Sequence, residues 1–348
     1  MYKKQYRYVL LIAAAIICTS FSVSAQNTFK TIALPPAINN VYEEFSGMTM
    51  YDNRLYLIPQ YGDHKKIKLD GDFFIYSILA DSIGRVIDGK DAALSIYRSI
   101  TVKNLDKLPD SVKTYYEGFE AITIVNNTVF LSIETDDTYN YCFLLKGKLN
   151  ASKNEIIIDP DVKTLKRPLH IENAGFESVT WVPKEKKLLA YYEFNANPEG
   201  GSGYLIDTSF KMPPEQIKTP FLYFRITDIA AASDDKIYGI NYFWNGDYNA
   251  YLNNDIIKNQ EEKIKKAIPD LQDSLTRNAD YLKAKTTSYA RIVTLNNRND
   301  TSWKQVTSAF PAPKNNWEGI TLYRKGALII TDANRSYRQL STFGYIAF

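Results

Sequence analysis

The sequence has little sulfur and little imidazole: of 348 residues, two are cysteine and two are histidine. Cys18 falls in an N-terminal leader, which leaves Cys142 alone, so no intramolecular disulfide can form. With so few thiols and imidazoles, a Cys/His zinc centre is excluded. Cys142 sits in the apolar stretch YNYCFLL and reads as a buried, inert thiol. Long hydrophobic runs are also missing. Val9 to Cys18 is ten residues, short of the roughly 20 that cross a bilayer. It follows Lys3, Lys4 and Arg7 and precedes Val23-Ser24-Ala25, so residues 1–25 read as a signal peptide cleaved after Ala25. A lipoprotein is disfavoured, because Ile17 stands where a small residue would precede the lipidated Cys18. The expected location is periplasmic or extracellular, with no membrane span after cleavage. Net charge is the third absence. The leader takes three of the 42 basic residues and leaves 39, against 39 acidic. That balance argues against nucleic acid held by bulk charge.

What is present is repetition. Five segments align: EFSGMTMYDNRLYLIPQ from Glu44, GFEAITIVNNTVFLSIE from Gly118, GFESVTWVPKEKKLLAYYE from Gly175, ITDIAAASDDKIYGIN from Ile226 and NWEGITLYRKGALIITD from Asn316. Each has strand-like alternation on both sides of a polar turn, at Asp52-Asn53, Asn126-Asn127, Pro183-Lys184, Asp234-Asp235 and Lys325-Gly326, and so reads as a hairpin. Further strand-like runs follow, such as DFFIYSIL, YCFLLKG, EIIID and YLID. A hairpin plus two short strands per repeat is the blade pattern of a β-propeller. The expected fold is all-β, one five-bladed propeller over residues 26–348, with TFKTIALP supplying the strand that closes the ring. Repeat starts lie 74, 57, 51 and 90 residues apart, so a sixth, degenerate blade has room in the longest intervals. In the 90-residue interval, Ile257, Ile264, Ile268, Leu271, Leu275 and Leu282 have helix-face spacing. A small helical insertion is expected over 254–285, split near Pro269.

Two polar columns run through the repeats. The first holds Ser46, Glu120, Glu177, Asp228 and Glu318, and the second holds Gln60, Glu134, Glu193, Asn241 and Asp332. Their distances from the turns predict cross-strand neighbours at the open end of each hairpin. Innermost propeller strands line a central channel, so seven carboxylates are expected to converge at one mouth, with no Lys or Arg in either column. Like charges a few Å apart repel by several kcal/mol at an effective dielectric of about 20. Protons, Arg225 and Arg335, or a cation must relieve them. An all-oxygen set including the Gln60 and Asn241 amides suits Ca²⁺ and not zinc. Glu120, Glu177, Asp228, Asn241, Glu318, Asp332 and Gln60 are the expected ligands. A hydrogen-bonded, water-filled ring tying the blades together is the alternative.

The pattern F-E-[small]-[aliphatic]-T, followed by a strand ending on an acid, resembles the Glu-Gly-Ile motif of the phytase-like esterase propellers and the SdiA-regulated propellers. WEGITLYRKGALIITDAN from Trp317 is the nearest stretch, whereas YEGFEAITI shifts the acid relative to its glycine. The resemblance implies a calcium-bound central site and, for some members, hydrolysis of phosphoesters or other esters. The first repeat departs from it by lacking its acid.

Two classes of function fit these residues. A hydrolase would use Glu134 or Glu193 as general base beside Ca²⁺, with Arg225, Arg335 and His64 contacting an anionic substrate group; lactones would serve as well as phosphoesters. His170, ahead of the third hairpin, would face the same mouth. A non-catalytic propeller would keep a structural calcium and bind a glycan or protein through NYFWNGDYNAY, residues 241 to 251. Either way, a small-molecule or glycan ligand at the channel mouth is expected.

Overall fold

A computed structural model of the chain describes residues 28–61, 69, 73–171, 173–195, 200–222, 225–243, 289–308, 310–312, 315–334 and 339–348. The leader, His64, Arg335, the 254–285 insertion and most of the 241–251 loop lie outside the described residues.

Twenty strands, β1 to β20 in chain order, build five four-stranded blades among the described residues. Blade one is β2 (Phe45–Tyr51), β3 (Arg54–Pro59), β4 (Phe73–Leu79) and β5 (Arg98–Lys103). Blade two is β6 (Tyr116–Val125), β7 (Thr128–Thr135), β8 (Tyr141–Asn150) and β9 (Glu155–Lys166). Blade three is β10 (Ser178–Val182), β11 (Lys187–Tyr191), β12 (Gly201–Ile206) and β13 (Glu215–Thr219). Blade four is β14 (Arg225–Ala231), β15 (Ile237–Phe243), β16 (Tyr289–Leu295) and β17 (Lys304–Thr307). Blade five is β18 (Trp317–Leu322), β19 (Gly326–Thr331), β20 (Phe343–Ala347) and the N-terminal β1 (Phe29–Thr31), which pairs with β20. The ring therefore closes through TFKT, as the sequence predicts.

The innermost strands touch in the order β2, β6, β10, β14, β18 and back to β2, which makes a closed ring. Hydrophobic burial follows that geometry. Each of the five apolar clusters spans one blade interface. Phe119 and Ile122 pack with Tyr56 and Ile75 between blades one and two. Trp317 and Ile320 pack with Ile240 and Ile292 between blades four and five. Blades thus stabilise one another face to face rather than sharing one core.

The hairpin turns are chemically ordinary. Asp52 and Asn53 have φ of 46° and 55°, and Asn126 and Asn127 have 48° and 60°. Two successive positive φ values are the type I′ signature, tolerated best by Asn, Asp and Gly.

The 74-residue interval holds no extra blade among its described residues. Helix Ala80–Ile87 fills part of it, burying Ala80, Ile83, Gly84 and Val86. A 3₁₀ turn at Leu105–Lys107 and helix Asp110–Tyr115 return the chain to the centre. One connection is unlike an ordinary propeller edge. β5 pairs in parallel with β9, Thr101 against Glu155 to Lys103 against Ile157, and joins blades one and two into an eight-stranded sheet. Two outer edges thereby satisfy each other's backbone groups.

Candidate functional site

The polar columns sit at the open ends of the hairpins, and a β-bulge sets their geometry. In blade two the ladder steps from Ala121 opposite Ser132 to Phe119 opposite Ile133, which leaves Glu120 as the extra residue. Ser46 is the extra residue in blade one and Glu318 in blade five. In blade three, Ser178 faces Tyr191 while the Glu193 amide bonds Gly175, which places the extra residue at the same point, beside Glu177. A bulge re-aims the side chain it carries. Glu120 therefore does not pair directly with Glu134, as the spacing argument predicts; Gly118 does.

Blade four corrects the sequence alignment. Its bulged residue is Thr227, not Asp228: Ile226 faces Asn241 and Asp228 faces Ile240. Both columns slide by one position there. The residue in the second column becomes Tyr242, opposite Arg225. Hydrogen bonds support the new register. Ser46 Oγ donates to the Phe119 carbonyl at 2.5 Å, and Thr227 Oγ1 donates to the Trp317 carbonyl at 2.5 Å, the same bond one blade onward in each case.

Asp228 and Asn241 are thereby struts. Asp228 Oδ1 accepts from the Ile229 amide at 2.8 Å and Oδ2 from the Ile320 amide at 2.9 Å, tying blade four to blade five. Burial raises its pKa, and those two amides pull the other way. Asn241 donates through Nδ2 to the Arg225 carbonyl at 2.9 Å and accepts from Arg291 Nε at 2.7 Å.

The corrected register adds a residue that sequence reasoning missed. The position opposite the second column reads Glu44, Gly118, Gly175, Arg225 and Asn316, since the Gln60 amide bonds the Glu44 carbonyl and the Asp332 amide bonds the Asn316 carbonyl. Glu44 opens the first repeat, and extending the aligned columns two residues N-terminally would have found it. The acid mouth is thus Glu44, Glu120, Glu134, Glu177, Glu193, Glu318 and Asp332, with Arg225 from blade four. All of these acids except the half-buried Glu318 are 2–7% exposed.

So much buried acid distorts its own titration. Glu120 is raised by burial first and by the Glu134 charge second, although Gln60 Nε2 donates to its Oε1 at 2.9 Å. Glu177 is raised by burial, then by Glu193 and Glu318. Glu318 is raised by burial, then by Glu193 and Asp332. Burial pushes Glu134 up to about 8 against the opposing Arg167 charge. Burial takes Asp332 to about 7, although the Asn334 amide donates to its Oδ1 at 2.8 Å. Glu193 is different: Arg225 Nη1 reaches its Oε2 at 2.5 Å, and the same guanidinium bonds the Asn173 carbonyl.

Two buried carboxylate oxygens, Glu134 Oε1 and Glu177 Oε2, have no hydrogen-bond partner among the described residues. Buried polar atoms are seldom left so, and a proton or a hard cation would satisfy them. The donor chemistry, all oxygen, fits Ca²⁺. Among the described residues, however, no three acidic, His or Cys side chains already converge closely enough to hold a metal ion. Glycines make room for the acids. A Cβ on Gly175 would stand 3.3 Å from Glu134 Cγ and Oε1, and one on Gly118 would stand 2.7 Å from Glu120 Oε1.

Several expected contacts fall elsewhere. His170 is held by the blade-two loop, Nδ1 to the Asp137 carbonyl at 2.9 Å and Nε2 to Asn140 Oδ1 at 2.8 Å. Buried Arg167, unforeseen in the sequence, bonds the Thr135 carbonyl and Asp137 and lies behind Glu134. Cys142 is fully buried, and burial raises its thiol pKa.

A closed ring of blades around a channel, acidic at one mouth, is a β-propeller. No family model matches the chain, and no curated protein matches its sequence. Among solved structures it is similar to a GH43 β-xylosidase/α-arabinofuranosidase from a compost microbial metagenome, solved with xylotriose in a calcium-free form. The two are 8% identical, with a TM-score of 0.50 over 91% of this chain and 94% of that one. It is also similar to a GH43_1 enzyme of Xanthomonas citri complexed with xylotriose, at 9% identity and a TM-score of 0.49 over 90% of this chain and 89% of that one. An α-L-arabinofuranosidase of Clostridium thermocellum follows at 11% identity and a TM-score of 0.46 over 83% and 81%. At such identities the likeness is one of fold.

Proposed function

We propose that the chain is a secreted or periplasmic propeller hydrolase whose acid mouth is the active centre, cleaving a glycosidic bond. One observation carries this reading: two second-column carboxylates in adjacent blades have opposite surroundings. Glu134 is pushed up to about 8, so it holds a proton at neutral pH, whereas Glu193 has its charge met by Arg225. A proton-holding acid beside a carboxylate paired with arginine suits cleavage of a glycosidic bond, which needs an acid and a base. Glu134 would donate its proton to the leaving oxygen, and Glu193 would take one from the attacking water. The Gly175 backbone packs against Glu134, and Arg225, itself bonded to the Asn173 carbonyl, holds Glu193. Burial is the largest cause of the shift at Glu134, and the ion pair with Arg225 opposes the same effect at Glu193. The xylotriose held by the similar compost-metagenome enzyme agrees with this substrate class.

A second reading keeps the calcium of the phytase-like resemblance and cleaves a phosphoester. The unpartnered Glu134 Oε1 and Glu177 Oε2 favour it. Glu120, Glu177 and Glu318 would hold the ion, with the Gln60 side-chain amide oxygen and Asp332 at the edge. When bound, calcium would supply charge neutralisation and Lewis acidity. Asp228 and Asn241, already engaged by backbone amides and by Arg291, stay out of that set.

The test is a panel of aryl glycosides, phosphoesters and lactones, assayed with and without EDTA. Glycoside hydrolysis that survives EDTA and falls at least about a hundredfold in Glu134→Gln and Glu193→Gln supports the first reading. EDTA-sensitive phosphoester hydrolysis supports the second. No turnover by a folded protein that still binds oligosaccharides identifies a non-catalytic glycan-binding propeller.

A further inference from the structure

The channel has a second mouth, at the turn end of the hairpins, that the acid chemistry does not use. A cavity of about 230 Å³ opens there, lined by all five innermost strands. Three residues along β6 from Glu120, about 10 Å at strand rise, Thr123 faces it. Thr49, Thr180 and Thr321 line it from blades one, three and five, with Ala230 from blade four and Trp181 beside them. Between this layer and the acids lies an aliphatic layer of Met48, Ile122, Val179, Ile229 and Ile320, all buried.

The threonines point to the ligand. Thr321 Oγ1 accepts from the Met50 amide at 3.2 Å, and Thr180 Oγ1 accepts from the Ala231 amide at 3.1 Å. Both hydroxyls spend an acceptor site on the neighbouring blade and keep their O–H to donate. Thr123, only 5% exposed, lines the cavity beside them. No charged side chain lines the cavity among the described residues. Its volume lies below the roughly 300 Å³ at which pockets for drug-sized ligands begin. Hydroxyl donors from four blades, apolar walls, one indole and no charge suit a small neutral molecule rich in hydroxyl oxygens.

We propose that the turn end of the channel is a second binding site, taking a neutral polyol the size of one sugar ring. This site is independent of the reaction proposed at the acid mouth. The test is fluorescence titration of the purified protein with D-glucose and D-xylose, using D-gluconate as the charged control. A saturable change with either neutral sugar is expected, lost in Trp181→Phe and absent with gluconate. Thr123→Val combined with Thr321→Val should weaken binding about tenfold, the scale of lost hydrogen bonds. Ala230→Leu, which fills the cavity from blade four, should weaken it by a different route. Glu177→Gln should leave the titration unchanged. The proposal is overturned by an absence of saturable change up to about 100 mM sugar, far above any useful Kd. It is equally overturned by binding indifferent to the threonine and Ala230 substitutions, or by binding lost in Glu177→Gln, which would place the sugar at the acid mouth.

Discussion

Thr227 Oγ1 donates to the Trp317 carbonyl at 2.5 Å, across the boundary between blades four and five. Thr227 therefore fills in its blade the place that Ser46, Glu120 and Glu318 fill in theirs. Thr227→Val should remove that buried bond and orphan its acceptor, at a cost of about 1–3 kcal/mol. Denaturant unfolding checks this. A valine variant as stable as the parent would mean that this bond does not hold the two blades.

Asp228 carries two buried amide bonds and no share of the acid mouth. Asp228→Ala should destabilise by about 2–4 kcal/mol, leaving two buried donors unpaired. Hydrolysis or cation binding, measured well below the unfolding temperature, should persist in the folded fraction. A folded variant with abolished function would return Asp228 to the site.

The Gly175 backbone lies against Glu134, so that a methyl group at this position would meet the glutamate side chain at 3.3 Å. Gly175→Ala should thus displace Glu134 by a few tenths of an ångström. In the hydrolysis proposed for Glu134, kcat should then fall more than tenfold, while stability changes by about 1 kcal/mol or less. Paired kinetic and melting measurements separate the two effects. Equal loss of both would make Gly175 a packing residue only.

The acid mouth also makes a pH prediction. Glu134 and Asp332 have folded pKa values raised to about 8 and about 7, from ordinary values of 4.5 and 3.8. The folded state then binds more protons than the unfolded state between those limits, so stability falls as pH rises through them. In EDTA, unfolding free energy should decline from about pH 4.5 to about pH 8. A flat profile across that window would show that the acids are neutralised by something other than protons.

How much of this was legible in the sequence depended on the kind of signal. The hairpins were, because Asp52-Asn53 and Asn126-Asn127 mark their turns and aliphatic alternation marks their strands. The closing strand was too, since TFKT had no other partner to complete blade five. The bulge was not, because an extra residue leaves no mark of its own in a column of letters. In blade four the identity of Asp228 drew the alignment one position off, although Thr227, a hydroxyl like Ser46, was the true match. Helix Ala80–Ile87 was hidden by its length, with only Ala80, Ile83, Gly84 and Val86 to show a face. The parallel pairing of β5 with β9 joins residues more than 50 positions apart, and no local pattern carries that.

The most direct test of a buried, uncompensated acid cluster is the melting temperature of the purified protein at pH 8, in EDTA and then in rising CaCl₂, beside Glu177→Gln. A ligand that binds only the folded state raises stability with its concentration. Glu177→Gln melting above the parent in EDTA is the predicted result; a further rise of the parent in calcium, lost in the variant, would favour the calcium-holding second reading over the first. Glu177→Gln no more stable than the parent in EDTA would contradict the account and leave the acids satisfied by one another and by arginine.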